Sequence, residues 1–215
     1  MPRNALIGIG GFPNAAMFEY VLSHARGRHV LVDHAASPQF EDLPGDLPGD
    51  LTHLSFYPWP PEDLRELALG HDVIFVCGGN TANMLAVWRA HGFDRILREA
   101  WDAGVVLAGW SAGMICWFEA GVTDSFGPQL EGMRDGLGLL PGSACPHYDG
   151  EERRRPVYTE LVAGGFPGGI ALDDGVAIHY AGTERREIVT CRPGACAYHV
   201  DADGETELEA RLLAG

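Results

Sequence analysis

The stretch Gly104-Val-Val-Leu-Ala108 runs without a polar break into Gly109-Trp110-Ser111-Ala112-Gly113. No other feature limits the fold as tightly. An uninterrupted apolar run of this length reads as a strand covered on both faces. The G-x-S-x-G that follows requires the strand to reverse sharply into a helix. Small residues are needed two before and two after the Ser, because strand and helix then nearly touch. The Ser is lifted above the sheet edge at strained backbone angles, and the new helix aims its free N–H groups at whatever sits there. A chain that makes this turn is committed to an α/β architecture.

The remaining pattern agrees. Asn4 to Ile9, His29 to Asp33 and Asp72 to Cys77 read as further buried strands. Ala15 to Ala25, Thr81 to His91, Phe93 to Ala103 and Glu152 to Ala163 have helical spacing, and the helix after the elbow is expected over Ala112 to Phe118. Gly169 to Leu172, Val176 to Tyr180, Ile188 to Cys191 and Cys196 to Val200 read as short strands too close together for crossover helices. The expected fold is a three-layer α/β/α arrangement with a mostly parallel sheet and antiparallel C-terminal strands, in one domain over residues 1–215. Pro- and Gly-rich runs at Ser37 to Asp50 and Tyr57 to Pro61 read as surface loops.

Composition removes whole classes of function. Asp+Glu is 30 against Lys+Arg 15, a formal net charge of −15, so neither nucleic acid nor an anionic membrane surface is an expected partner. All the basic residues are Arg, and the absence of Lys excludes Schiff-base lysines, Ser–Lys dyads and the phosphate-binding lysine of a P-loop. No apolar run approaches the length of a membrane span, and Met1 to Gly11 lacks the features of a secretory leader. Five Cys, an odd number without a framework, read as free thiols in a reducing cytoplasm. Cys191, Cys196 and His199 have a loosely zinc-like spacing but no fourth ligand nearby, so no metal is expected. Gly8-Ile9-Gly10-Gly11 is not a dinucleotide fingerprint, since Pro13 takes the place of its last Gly. This loop is expected at the end of the first strand, at the edge of the site.

A Ser hydroxyl is a poor nucleophile until a base takes its proton. Of the nine His, six precede the elbow and read as surface or capping residues. His147 lies in a short extended segment, Ala144 to Asp149, bounded by Pro141-Gly142 and Gly150. His179 and His199, both on strands, are the other candidates. The carboxylate that should orient the base is left open among Asp124, Asp149, Asp173 and Asp174. The Ala112 N–H is a natural oxyanion donor, and the Gly78-Gly79-Asn80 loop is placed to supply a second. The same residues also fit a blander reading, in which Ser111 caps a helix and the glycines make a plain turn capped by Asn80 or Thr81.

Four blocks occur in order: VCGGNTANML from Val76, AGWSAGMICW from Ala108, GVTDS from Gly121 and CPHYDGEERRRPVYTEL from Cys145. Jointly they resemble the peptidase E family of serine peptidases, aspartyl dipeptidases related to cyanophycinase, over about Ala5 to Tyr180. The resemblance implies a flavodoxin-like fold similar to the glutamine amidotransferase domain, with Ser in place of that group's Cys. It implies Ser111 as nucleophile, His147 as general base and Asp124 as the acid, with Asp149, Glu151, Asp173 and Asp174 as alternatives. It further implies the N–H groups of Gly79 and Ala112 as oxyanion hole and Asn80 as a substrate-holding residue. Arg154, with Arg153 next, would be the cation for an N-terminal aspartate side chain, although Arg153 to Arg155 also fit a solvated helix face. The implied activity is hydrolysis of short peptides, dipeptides with N-terminal Asp above all, without a cofactor, and the resemblance points to a homodimer. Two rivals remain at this stage: a serine esterase of the α/β-hydrolase type with His199 as base, and a non-catalytic binding domain on the same fold.

Overall fold

The apolar runs become strands because only pairing on both edges and cover on both faces can bury them. The computed structural model describes residues 4–37 and 47–214. In chain order its first half forms β1 (Ala5–Ile9), α1 (Ala15–Leu22), β2 (His29–Asp33), β3 (Asp50–Leu54), α2 (Leu64–Leu69), β4 (Val73–Val76), α3 (Thr81–His91), α4 (Phe93–Asp102) and β5 (Val106–Trp110). The second half forms α5 (Ala112–Ile115), β6 (Phe118–Thr123), β7 (Glu131–Met133), β8 (Leu140–Cys145), α6 (Arg154–Ala163), β9 (Gly169–Leu172), β10 (Val176–Ala181), β11 (Glu184–Thr190), β12 (Ala197–Asp201), β13 (Gly204–Leu208) and β14 (Arg211–Leu212). Positions 38–46 of the expected Pro-Gly loop lie outside the described residues.

Eight strands form one sheet in the order β14-β11-β10-β1-β5-β4-β2-β3, and its five strands from β1 to β3 are mutually parallel. Alternate side chains of these strands leave on opposite faces. Ile7, Ile9, Val32 and Phe75 pack under Met17 and Phe18 of α1. Leu6, Leu31, Ile74 and Leu107 pack against Leu85, Trp88 and Leu97 of α3 and α4. Helices thus cover both faces of a mostly parallel sheet, the α/β class expected from the sequence.

The chain adds a second sheet, which the sequence pattern did not suggest. Its six strands run β13-β12-β9-β8-β6-β7. Its inner face, with Leu140, Ile170 and Leu172, completes the core under α3 and α4, and its outer face is covered by Tyr158 and Val162 of α6. The C-terminal strands divide between the sheets: β10 and β11 extend the first antiparallel, as expected, while β9 and β12 join the second. The elbow helix is also shorter than expected, four residues in place of Ala112 to Phe118, and β6 begins at Phe118. The cause is that this run has no polar face. Cys116, Trp117 and Phe118 are all buried, and such a segment is compatible with strand as much as with helix. Among the described residues no helix is long and apolar enough to cross a membrane.

Candidate active site

Ser111 leaves the end of β5 with φ 55 and ψ −114, in the left-handed half of backbone space that a non-glycine residue seldom occupies. The flanking glycines are steric necessities. A Cβ on Gly109 would lie 2.5 Å from the Gly113 carbonyl oxygen, and one on Gly113 would lie 2.2 Å from that of Val76. The Ser111 N–H donates to the Ile9 carbonyl at 3.1 Å, and its own carbonyl accepts from Met114 and Ile115 at 2.9 and 3.0 Å. The hydroxyl makes no capping bond to the helix it precedes, so the bland reading of a mere N-cap does not hold.

β8 delivers the imidazole. His147 follows Pro146 with φ 54, is 6 % exposed, and its N–H donates to the Gly10 carbonyl at 3.2 Å. Its Nδ1 is 2.7 Å from Oδ1 of Asp174, in the link that leaves the second sheet at β9 and enters the first at β10. With the Nδ1 proton donated to that carboxylate, Nε2 is the basic nitrogen. Asp124 is exposed and lines the same pocket, but it is not the carboxylate bonded to His147; that correction moves the contact to Asp174, one of the alternatives. The reason is topological: Asp124 follows the end of β6, whereas the β9–β10 link passes directly beside the ring.

The neighbouring carboxylates hold the link rather than the ring. Asp149 Oδ1 accepts the Asp174 N–H at 2.9 Å and its other oxygen pairs with Arg192, whose Nε donates to the Asp174 carbonyl at 3.0 Å. Burial pushes the Asp149 carboxyl up, but Arg192 and these N–H donors together hold it below its usual value. Asp173 is buried, accepts the Cys196 N–H at 2.9 Å, and is pushed up by burial. Glu151 pairs with Arg154 through Oε2 at 2.8 Å.

Gly79 follows β4 with φ 134, and a Cβ there would sit 2.4 Å from the Ala36 carbonyl oxygen. Among the described residues, neither the Gly79 nor the Ala112 N–H donates to a backbone carbonyl. Asn80 caps α3 by accepting the Asn83 N–H at 2.9 Å, and its Nδ2 donates to the Ser125 carbonyl at 3.0 Å. Its side chain is thus held as a brace between two loops.

Ser111, His147, Gly79, Asn80, Asp124 and Arg154 line one pocket of about 540 Å³. It opens at the carboxyl ends of β1, β4 and β5, where open α/β sheets bind ligands. Of the Arg run, only Arg154 reaches this pocket. It is 4 % exposed and donates from Nη1 to the Val122 carbonyl at 2.7 Å. Arg153 turns to the adjacent loop, bonding the Pro128 carbonyl at 3.3 Å and the Gln129 side chain. Arg155 pairs with Glu205 of β13. His199 is half-exposed beside Asp201, 3.6 Å away on β12, and does not line the pocket, which removes the basis of the esterase rival.

Sequence reasoning passed over Phe12, took Trp110 only as part of the elbow motif, and weighed Glu151 only as an alternative acid. Phe12, Trp110 and Glu151 line the pocket. A Cβ on Gly11 would lie 2.1 Å from Asp174 Oδ1 and 2.6 Å from the His147 ring, so the pair packs directly on that glycine. The signal was the Gly10-Gly11 pair at the end of the first strand, correctly expected at the edge of the site but not tied to the ring.

The elbow serine thus shares one pocket with a His–Asp pair, at the carboxyl edge of a mostly parallel α/β sheet. This chain belongs to peptidase family S51, whose model matches residues 37–188. It is 52 % identical over 150 residues to the uncharacterized peptidase YgaJ of Bacillus subtilis, covering 69 % of this chain and 64 % of that protein. It is 30 % identical over 134 residues to Peptidase E of Shewanella denitrificans, covering 58 % and 57 %. These matches each span less than two thirds of the relative's length. The crystal structure of a peptidase from an acI-B1 Actinobacterium superposes with a TM-score of 0.68 at 18 % identity, over 97 % of this chain and 95 % of that one, a likeness of fold.

Proposed function

We propose that this chain is a serine peptidase that hydrolyses short peptides, dipeptides with an N-terminal Asp above all, through an acyl-enzyme on Ser111. The observation that carries the reading is the 2.7 Å His147–Asp174 pair in the same pocket as a serine held at φ 55. Ser111 Oγ attacks the peptide carbonyl while His147 Nε2 takes its proton. The Gly79 and Ala112 N–H groups receive the negative charge on the carbonyl oxygen, and one such donor is worth roughly 3 kcal/mol in comparable sites. The C–N bond breaks as His147 returns the proton to the leaving nitrogen. Water, activated by the same imidazole, then hydrolyses the ester and frees Ser111. Asp174 keeps the ring in the right tautomer and stabilises its charged form.

Arg154 supports the choice of an acidic side chain, because a guanidinium binds carboxylate with fork geometry. An incoming aspartate must displace Glu151 from it. Five Cys thiols fit a reducing cytoplasm as the compartment. The test is a panel of aminoacyl substrates and dipeptides with Asp, Glu, Asn, Leu or Arg first, with Ser111→Ala alongside. Turnover of Asp substrates that disappears in Ser111→Ala is expected. Turnover that survives the substitution would sink the mechanism, and equal turnover of Leu and Asp substrates would sink the acidic pocket.

A further inference from the structure

Phe12 is a bulky residue where the backbone disfavours one. Its φ is 46, and it precedes Pro13, a neighbour that pushes the residue before it toward extended backbone. Its side chain is 67 % exposed, so core packing does not account for its placement. Strain of this kind persists only where the surroundings impose it. Here the chain is pinned on both sides. The Gly10 N–H donates to the Val176 carbonyl at 2.9 Å, the Gly10 carbonyl accepts from His147 at 3.2 Å, and the Gly11 carbonyl accepts from Gly175 at 2.9 Å. On the other side Asn14 caps α1 through the Met17 N–H at 3.0 Å. The result is the position of the ring, whose centroid lies 5.7 Å from that of His147 and 5.5 Å from that of Trp110, at the rim of the pocket.

We propose that Phe12 is a specificity-determining residue for the half of the substrate that leaves. With Trp110 it forms an apolar wall for the side chain after the scissile bond, and it favours bulky apolar residues there. The inference rests on the serine-peptidase reading and deepens it. His147 must return its proton to the leaving nitrogen, which therefore comes within about 3 Å of Nε2. The side chain that follows the scissile bond is joined to that nitrogen through one carbon. It has no choice but to lie beside the imidazole, where the Phe12 ring already stands. The acyl half points away, toward the Gly79 and Ala112 N–H groups and Arg154.

The experiment measures kcat/KM for dipeptides that share the best first residue and carry Gly, Ala, Leu, Phe or Asp second. It uses the unsubstituted chain, Phe12→Ala and Phe12→Leu. The unsubstituted chain is expected to prefer Leu and Phe over Gly by about tenfold, with Asp below Gly. Phe12→Ala should pull the Leu-to-Gly ratio down about tenfold, and Phe12→Leu should recover most of it. A ratio that Phe12→Ala leaves unchanged, or Ser111-dependent turnover with no preference at the second position, would overturn this inference alone. No turnover of any dipeptide by the unsubstituted chain would overturn the peptidase reading and the inference together.

Discussion

Replacing Asp174 by Asn keeps the size of the side chain against Gly11 but lets the amide hold the wrong tautomer of His147. In a comparable triad this change lowers kcat about 10⁴-fold, and a loss of at least 10³-fold is expected here. Asp124→Asn, at a pocket carboxylate that does not touch the ring, should lose less than tenfold. Steady-state kinetics of both variants decide the assignment, and a larger loss for Asp124→Asn would reverse it. The residues proposed as nucleophile and base were legible at this scale, since each needs a particular residue type in a particular local setting. The carboxylate that holds the ring was not. Asp173 and Asp174 are adjacent, and one caps the Cys196 N–H while the other holds the ring. Only the path of the β9–β10 link between two sheets separates those roles, and sequence proximity carries no trace of it.

At the scale of elements, α3 shows what local chemistry can specify. Its bounds, Thr81–His91, were readable because Asn80 starts it and Gly92, at φ 70, stops it. The same Asn80 bonds the Ser125 carbonyl, so the cap also fixes the loop that carries the Gly79 N–H. Asn80→Ala should destabilise the fold by about 1 kcal/mol and lower kcat. Asn80→Asp keeps an acceptor for Asn83 but has no donor for Ser125. It should therefore restore the denaturation midpoint while leaving kcat low. Equal recovery of both would mean that the tether to Ser125 has no part in turnover. β6 escaped the sequence reading because Glu119 alone breaks its buried run, too little to set a period of two. The second sheet escaped with it, since β7 and β13 are short and mostly exposed.

At the scale of the whole molecule, stability should depend on a histidine remote from the elbow. Burial first, then the nearby His24, pushes His179 down to about 4, although Glu187 opposes the shift. Its Nδ1 lies 3.4 Å from the Tyr20 hydroxyl, which in turn donates to Glu187 at 3.0 Å. The folded form therefore favours the neutral ring. This stability is present above the unfolded value near 6.5 and is lost as pH falls toward 4, by about 3 kcal/mol in all. Asp33 runs the other way: burial pushes its carboxyl to about 7, so its contribution is fullest below its ordinary value and fades as pH rises through 7. The two slopes overlap, so the test is a difference. The gap in unfolding free energy between the unsubstituted chain and His179→Gln should narrow by about 3 kcal/mol between pH 7 and pH 4. A constant gap would refute it. The two sheets carry a further consequence. Ser111 and the Gly79 N–H ride on the first sheet, while His147 and Asp174 arrive from strands of the second. The proposed reaction spans a seam between two sheets that share one core and are tied by the His147 N–H bond to Gly10, and misplacement by about 1 Å can lower a rate 10²-fold. Turnover would be a ruler laid across that seam. A shift of one sheet past the other would silence the proposed chemistry while every strand stayed paired.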